Sequence, residues 1–215
     1  MTDRLEKIFS IIPECETFAD IGCDHGYMAH AMLTRDKAKK VIIADISEKC
    51  LQKAKDLLFA YINSGRAISV VANGFIGVPR CDVGLVAGMG GEEICTILKS
   101  ASALPNTLVL QPMKNTDKVR LCALELGYKI EKDYVFKSAN KFYDIMLISK
   151  GKDFLSEQEI EFGRDNLREK SDDFIEFISQ KLVRLNGILS IEGISDRDRE
   201  KMLKLKEKLQ KICIK

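Results

Sequence analysis

The chain has 215 residues, enough for one full-sized domain with an appendage and a sizeable buried core. Hydrophobic residues make up 46% and charged residues 31%, the composition of an ordinary globular protein. A formal net charge of +2 excludes a histone-like polycation held to nucleic acid by charge alone, although it leaves room for a local basic patch.

The first 150 residues alternate helix and strand signals. Leu5, Ile8, Phe9 and Ile12 fall at helical spacing, and Pro13 ends that helix. A short strand through Thr17–Ile21 leads into Gly22, and a helix pattern follows over Gly26–Leu33. The run Val41–Ala44 is apolar on both faces, stops at Asp45, and gives way to a helix through Leu51, Ala54, Leu58 and Ile62, with Ser47 as its N-cap. Further short strands are expected at Ile68–Val71, Val83–Val86 and Leu108–Leu110. Strands without alternation are buried on both faces, which marks a parallel sheet covered by helices. Tyr134–Phe136 and Tyr143–Ile148, separated by Lys137–Lys141, read as a hairpin. The expected fold is therefore α/β, a doubly wound, mostly parallel sheet ending in an antiparallel pair.

Beyond Gly151 the strand signals cease. Ile175, Ile178, Leu182, Leu185 and Leu189 step by threes and fours, Leu167 and Phe174 stand one heptad apart, and Met202, Leu205, Leu209 and Ile212 repeat the rhythm. Gly187 and Gly193 bracket the connection, so two helices of unequal length are expected as an antiparallel coiled-coil hairpin. This divides the chain into residues 1–150 and a helical appendage, 151–215. Residues 151–196 hold 6 basic and 11 acidic side chains, whereas 197–215 hold 8 basic and 3 acidic. Lys201, Lys204, Lys208, Lys211 and Lys215 form a stripe beside the apolar seam. Two readings stand side by side: an acidic helix paired with a basic one, or a basic rail for nucleic-acid phosphates.

Acids at Asp3 and Glu6 do not suit a signal peptide, and no apolar run approaches the roughly 20 residues of a membrane span, so a cytoplasmic location is expected. The seven cysteines show no metal-ligand spacing, and their scatter through apolar stretches suits buried thiols in a reducing compartment. With His25 and His30 the only histidines, a zinc site or a Ser-His-Asp triad has little to work with, and no metal is expected.

The informative loop is Asp20-Ile21-Gly22-Cys23-Asp24-His25-Gly26-Tyr27, between a strand and a helix. Its glycine spacing is not that of dinucleotide folds. Where those have a glycine to admit a pyrophosphate, Asp24 offers a carboxylate that would repel one. A ligand without phosphate but with positive charge fits better, and S-adenosylmethionine is such a ligand. Asp20 would lie near its amino-acid end, with Gly22, Cys23 and Gly26 letting the backbone approach. Asp45, next to Ile46, would accept the ribose hydroxyls, and Asn73-Gly74 would meet the adenine amine. The fourth strand ends in Ala87-Gly88-Met89-Gly90-Gly91, which offers space and backbone groups in place of the side chains that bind an exocyclic amine. A ring nitrogen with a free lone pair needs only alignment and electrostatics.

Asp20–Tyr27, Ala87–Gly91, Leu110-Gln111-Pro112 and Tyr143-Asp144-Ile145, in this order with a C-terminal helical hairpin, resemble the bacterial tRNA (adenine-22-N1)-methyltransferases of the TrmK type. The resemblance covers essentially the whole chain. It implies a Rossmann-like class I fold dependent on S-adenosylmethionine, methylation of adenine N1 in the D-arm region of tRNA, and a coiled coil that helps to hold tRNA. The chain departs from the family pattern at Gly26 (alanine is usual), Met28-Ala29 (Leu-Pro), Asp45 (glutamate), Asn73 (aspartate) and Asp144 (glutamate). Gly88 then joins the cofactor-binding set. Asp24, His25, Tyr27 and Met89 fall on the reacting side, and Gly90, Gly91, Lys114 and Asn115 toward the substrate. For Tyr27 both a stacking platform and plain helix packing remain open, as do catalysis and loop-fixing for Asp24 and His25. Competing readings are a methyltransferase for another RNA or a small molecule, and a non-catalytic scaffold retaining the fold. With no tryptophan and 7% aromatics, recognition of tRNA by shape, by a monomer, is expected rather than single-strand stacking.

Overall fold

A computed structural model describes residues 1–191 and 194–213. Helix α1 (Asp3–Ile11) is capped by Thr2, whose hydroxyl accepts from the Leu5 amide, and it stops where Pro13 forces Ile12 into extended backbone. Strand β1 (Cys15–Ile21) is followed by α2 (Tyr27–Thr34), β2 (Ala38–Asp45), α3 (Glu48–Leu57), α4 (Phe59–Asn63) and β3 (Ala67–Val71). Then come β4 (Val83–Met89), α5 (Gly91–Ser100), β5 (Thr107–Pro112), α6 (Thr116–Glu125), β6 (Tyr128–Ser138) and β7 (Lys141–Lys150). The seven strands pair in the order β3-β2-β1-β4-β5-β7-β6. The first five are parallel, and β7 lies antiparallel to both β5 and β6.

One apolar layer packs α1, α2 and α3 on the sheet around Ile8, Met32, Phe18 and Leu51. The other packs α5 and α6 around Ile94, Val119, Leu110 and Phe75. Strand order reverses between β1 and β4, so the loops after these two strands diverge to opposite faces and leave a crevice at their C-terminal ends.

The hairpin is longer than its apolar runs suggested. Its strands extend over 11 and 10 residues and are joined by a tight turn with Ala139 at φ 51°. The charged side chains of Lys129, Glu131 and Lys132 hide the first half of the strand in sequence, where Glu131 and Lys132 are exposed.

The expectation of two unequal helices after Gly151 is corrected to four helices: α7 (Glu157–Phe162), α8 (Arg164–Glu169), α9 (Asp172–Leu189) and α10 (Asp196–Cys213), the last two of 18 residues each. Leu167 and Phe174 belong to different helices, separated at Lys170, which adopts left-handed backbone. Gly187 lies inside α9, while Gly193 and Lys215 fall outside the described residues. The free edge of β6 is closed by side chains of the added helices: Asp165, Asn166 and Asp173 accept the amides of Asp133, Val135 and Lys137 at 2.8, 2.8 and 2.9 Å. Behind them Phe174, Ile178, Leu185 and Leu209 form a third apolar cluster against Val135. Among the described residues no carboxylate of α9 pairs with a lysine of α10. Glu176 holds Lys137 instead, and Lys208 reaches Glu161 on α7. No described helix is long and apolar enough to cross a membrane.

Candidate active site

The turn after β1 is pinned to β2 from below. The Gly22 and Cys23 amides both donate to the Ala44 carbonyl, at 2.8 and 3.2 Å. The Asp45 carboxylate accepts the Asp24 amide at 3.3 Å and the Ser47 amide at 2.8 Å. Gly22 has φ 73°, and any side chain there would collide with the methyl end of Met89 folded over it. Gly26, also left-handed, turns its missing Cβ toward Ala54 of α3 at 2.8 Å, so its glycine sets the packing of two helices.

Above this floor lies a cavity of about 450 Å³ that brings together Asp20, Gly22, Cys23, Asp24, His25, Tyr27, Gly88 and Met89. Asp20 is only 5% exposed, and one carboxylate oxygen, Oδ2, has no hydrogen-bond partner. Burial, with a smaller push from the Asp45 charge, drives its pKa up to about 7, against the pull of the Ala29 backbone hydrogen bond. At the mouth the Asp24 carboxylate meets His25 Nδ1 at 2.7 Å, and Lys53 Nζ stands 3.3 Å from His25 Nε2. Tyr27 is 52% exposed and lies parallel to the His25 ring, centroids 5.4 Å apart, rather than in the core.

The model of the family described as a methyltransferase domain matches residues 1–146. The chain belongs to this family. A Mycoplasma pneumoniae protein named "Putative tRNA methyltransferase" is 28% identical over 76% of this chain and 79% of its own. The Bacillus subtilis tRNA (adenine(22)-N(1))-methyltransferase is 24% identical over 70% and 66%. Among solved structures, M. capricolum TrmK in complex with S-adenosyl-homocysteine superposes with a TM-score of 0.88 at 23% identity, covering 99% of this chain and 97% of that one.

In this methyltransferase domain the remaining sites expected from sequence do not line that cavity, and Lys114 and Asn115 line a different one. Asp45 is linked to it through the Asp24 amide, Ile46 is 70% exposed after β2, and Asn73 is exposed after β3. A side chain at Gly74 would begin 2.7 Å from Ile97, so its glycine makes room for α5. The loop after β4 is zipped to the loop after β5. Met113 donates to the Met89 carbonyl at 2.8 Å, Gly91 donates to the Lys114 carbonyl at 2.9 Å, and Asn115 backs onto Gly91. Lys114 Cε lies 3.3 Å from where a side chain of Gly90 would begin.

Arg4 is the residue that sequence reasoning missed. Its guanidinium enters the cavity from α1, lies over Gly88, donates to Gln111 Oε1 at 3.0 Å and faces the Tyr143 ring at 5.5 Å. The available signal was Gln111, an amide inside an apolar strand that needs a polar partner.

Proposed function

We propose that this chain is an S-adenosylmethionine-dependent tRNA methyltransferase that modifies N1 of an adenine in the D-arm region, the position numbered 22 in the name of its B. subtilis relative. The observation that carries the reading is Asp20: a buried carboxylate with an unsatisfied oxygen, at a glycine-floored strand end, suits a cationic amino group. The bound cofactor supplies a methyl group made electrophilic by its sulfonium. Asp20 holds the ammonium of its amino-acid end, and Arg4, whose guanidinium lines that cavity, holds the carboxylate. Asp45 accepts from the ribose hydroxyls with its remaining lone pairs, Ile46 covers a face of the adenine, and Asn73 meets the adenine amine.

The target adenine leaves its stack to reach the mouth, where the exposed face of Tyr27 receives it. Its N1 carries a free lone pair, so no residue has to remove a proton before transfer. The loop from Gly88 to Gly91 gives backbone room for the ring, and Asp24, paired with His25, offsets the positive charge that appears on it. This chemistry requires neither a metal-activated water nor a second subunit, and we read the enzyme as a metal-independent monomer.

The test is transfer of labelled methyl from S-adenosylmethionine to unmodified tRNA transcripts, with the product base mapped by mass spectrometry. N1-methyladenine in the D-arm is the expected result. Cofactor binding without label on any tRNA would redirect the reading to another acceptor, and absence of binding would leave a scaffold.

A further inference from the structure

A second cavity, of about 380 Å³, lies between the loop after β5, the hairpin and the C-terminal helices. One wall is aromatic: Phe142 of β7 and Phe177 of α9 meet with centroids 5.4 Å apart and planes tilted by 55°. Lys181, one turn after Phe177, places its ammonium 4.3 Å from that ring centroid. Lys181 as a whole is exposed, yet its ammonium end is enclosed enough that desolvation lowers its pKa. Lys114 also lines the cavity, and it is the same lysine that abuts Gly90 of the loop after β4.

The charges there are unevenly committed. Asp144 accepts from Thr116 at 2.9 Å and lies 3.5 Å from Arg120, while Glu161 pairs with Lys208 at 3.1 Å. Among the described residues neither Lys114 nor Lys181 has a carboxylate within ion-pair distance. Two ammonium groups outside any ion pair, one of them over the Phe177 ring, an aromatic wall, and the carboxylates of Asp117, Asp144 and Glu161, able to accept from an exocyclic amine, together offer the chemistry of a nucleotide site. Composition argues against an aromatic platform, yet two phenylalanines from distant segments meet here.

We infer that this cavity receives one unpaired nucleotide of the RNA next to the target adenine, its base against Phe142 and Phe177 and its phosphate between Lys114 and Lys181. The inference rests on the tRNA reading above. Lys114 ties it to RNA rather than to a free nucleotide, because a phosphate held there lies beside the loop that faces the reacting base.

The experiment uses the full chain and unmodified tRNA. In Lys181→Gln the KM for tRNA should rise about tenfold and the salt dependence of tRNA binding should lose about one counterion. Affinity for S-adenosylhomocysteine should stay at the wild-type value, and Lys181→Arg should restore most of the tRNA affinity. Phe142→p-benzoylphenylalanine should photo-cross-link to a single unpaired nucleotide of tRNA, a product competed by excess tRNA and not by nucleoside monophosphates. An unchanged KM in Lys181→Gln, or cross-links spread along paired stems, would overturn the inference while leaving the methyltransferase reading intact. Competition by monophosphates would assign the cavity to a free nucleotide and overturn it too. If the wild-type protein methylates no tRNA, the reading itself fails and the inference goes with it.

Discussion

At the hairpin edge of the sheet, Asp133 is wholly buried and both of its oxygens accept from Arg120, at 2.7 and 2.9 Å. Arg120 Nη1 donates to the Ile160 and Glu161 carbonyls of α7, and Nη2 also stands 3.5 Å from Asp144. At the crevice between β1 and β4, Asp20 is almost as deeply buried, and one of its oxygens meets no donor. The first carboxylate is completed by the fold, and its purpose is to tie the C-terminal helices to the sheet. The second keeps one oxygen without a donor, a desolvation cost that under the proposed function is offset by the ligand's ammonium. Buried charge alone does not mark a functional site; the unsatisfied oxygen is what makes Asp20 the candidate of the two.

The largest expected effect comes from breaking the satisfied pair. Arg120→Met leaves Asp133 buried without its cation and frees two carbonyls of α7, so urea denaturation should show a loss of about 3–5 kcal/mol. A loss below about 1 kcal/mol would mean that water reaches Asp133 and that the comparison with Asp20 does not hold.

Asp20→Asn should act in the opposite direction on stability and weaken binding. Asp20 has its folded pKa raised from 3.8 to about 7, so the folded state holds the proton more tightly and its stability falls as pH rises through that window. Asparagine removes the fall: at pH 8 the variant should be more stable than wild type by an amount on the order of a few kcal/mol, and no more stable below pH 4. Calorimetry should show its affinity for S-adenosylhomocysteine reduced by about a hundredfold. In the wild-type protein the same linkage should make that affinity drop by about tenfold per pH unit below about 7, because only the ionised acid binds an ammonium. A flat profile between pH 5 and 7 would remove Asp20 from the ligand site.

Arg4→Ala sharpens the assignment of the other end of the ligand. Affinity for S-adenosylhomocysteine should fall by about tenfold, whereas affinity for 5′-methylthioadenosine, which lacks the amino-acid carboxylate, should not change. Equal losses for both compounds would mean that Arg4 shapes the pocket through Gln111 and Tyr143 rather than holding a carboxylate.

The two regions also differ in how much of them could be read in advance. Phe18, Val41–Ala44, Val83–Val86 and Leu108–Leu110 announce central strands because both faces are buried, and the loop from Asp20 to Tyr27 stands out because glycines and acids there serve no apolar purpose. The edge hides itself. Lys129, Glu131 and Lys132 face outward along β6, so the hairpin looks shorter than it is, and the breaks at Gly163 and Lys170 interrupt what reads as one heptad pattern. Arg4 was invisible for another reason: its role depends on where α1 lands across the ends of β4 and β5, and amphipathic spacing in α1 reports only the face that packs.

The smallest effect tests how the edge of β6 is closed. Asp173 accepts the Lys137 amide at 2.9 Å and stands in the first turn of α9, where a negative charge also favours the helix. Asp173→Ala should cost about 1 kcal/mol, since a partly buried amide loses its acceptor while Lys137 Nζ keeps Glu176 at 2.6 Å. Asp173→Asn retains an acceptor oxygen and loses only the charge, so it should cost no more than about half as much. The ordering of the two variants separates the mechanisms. If alanine and asparagine cost the same, the helix charge holds this corner together; if asparagine is nearly silent, the edge of the sheet is closed by side-chain hydrogen bonds, as at Asp165 and Asn166, and the satisfied region owes its order to geometry rather than to charge.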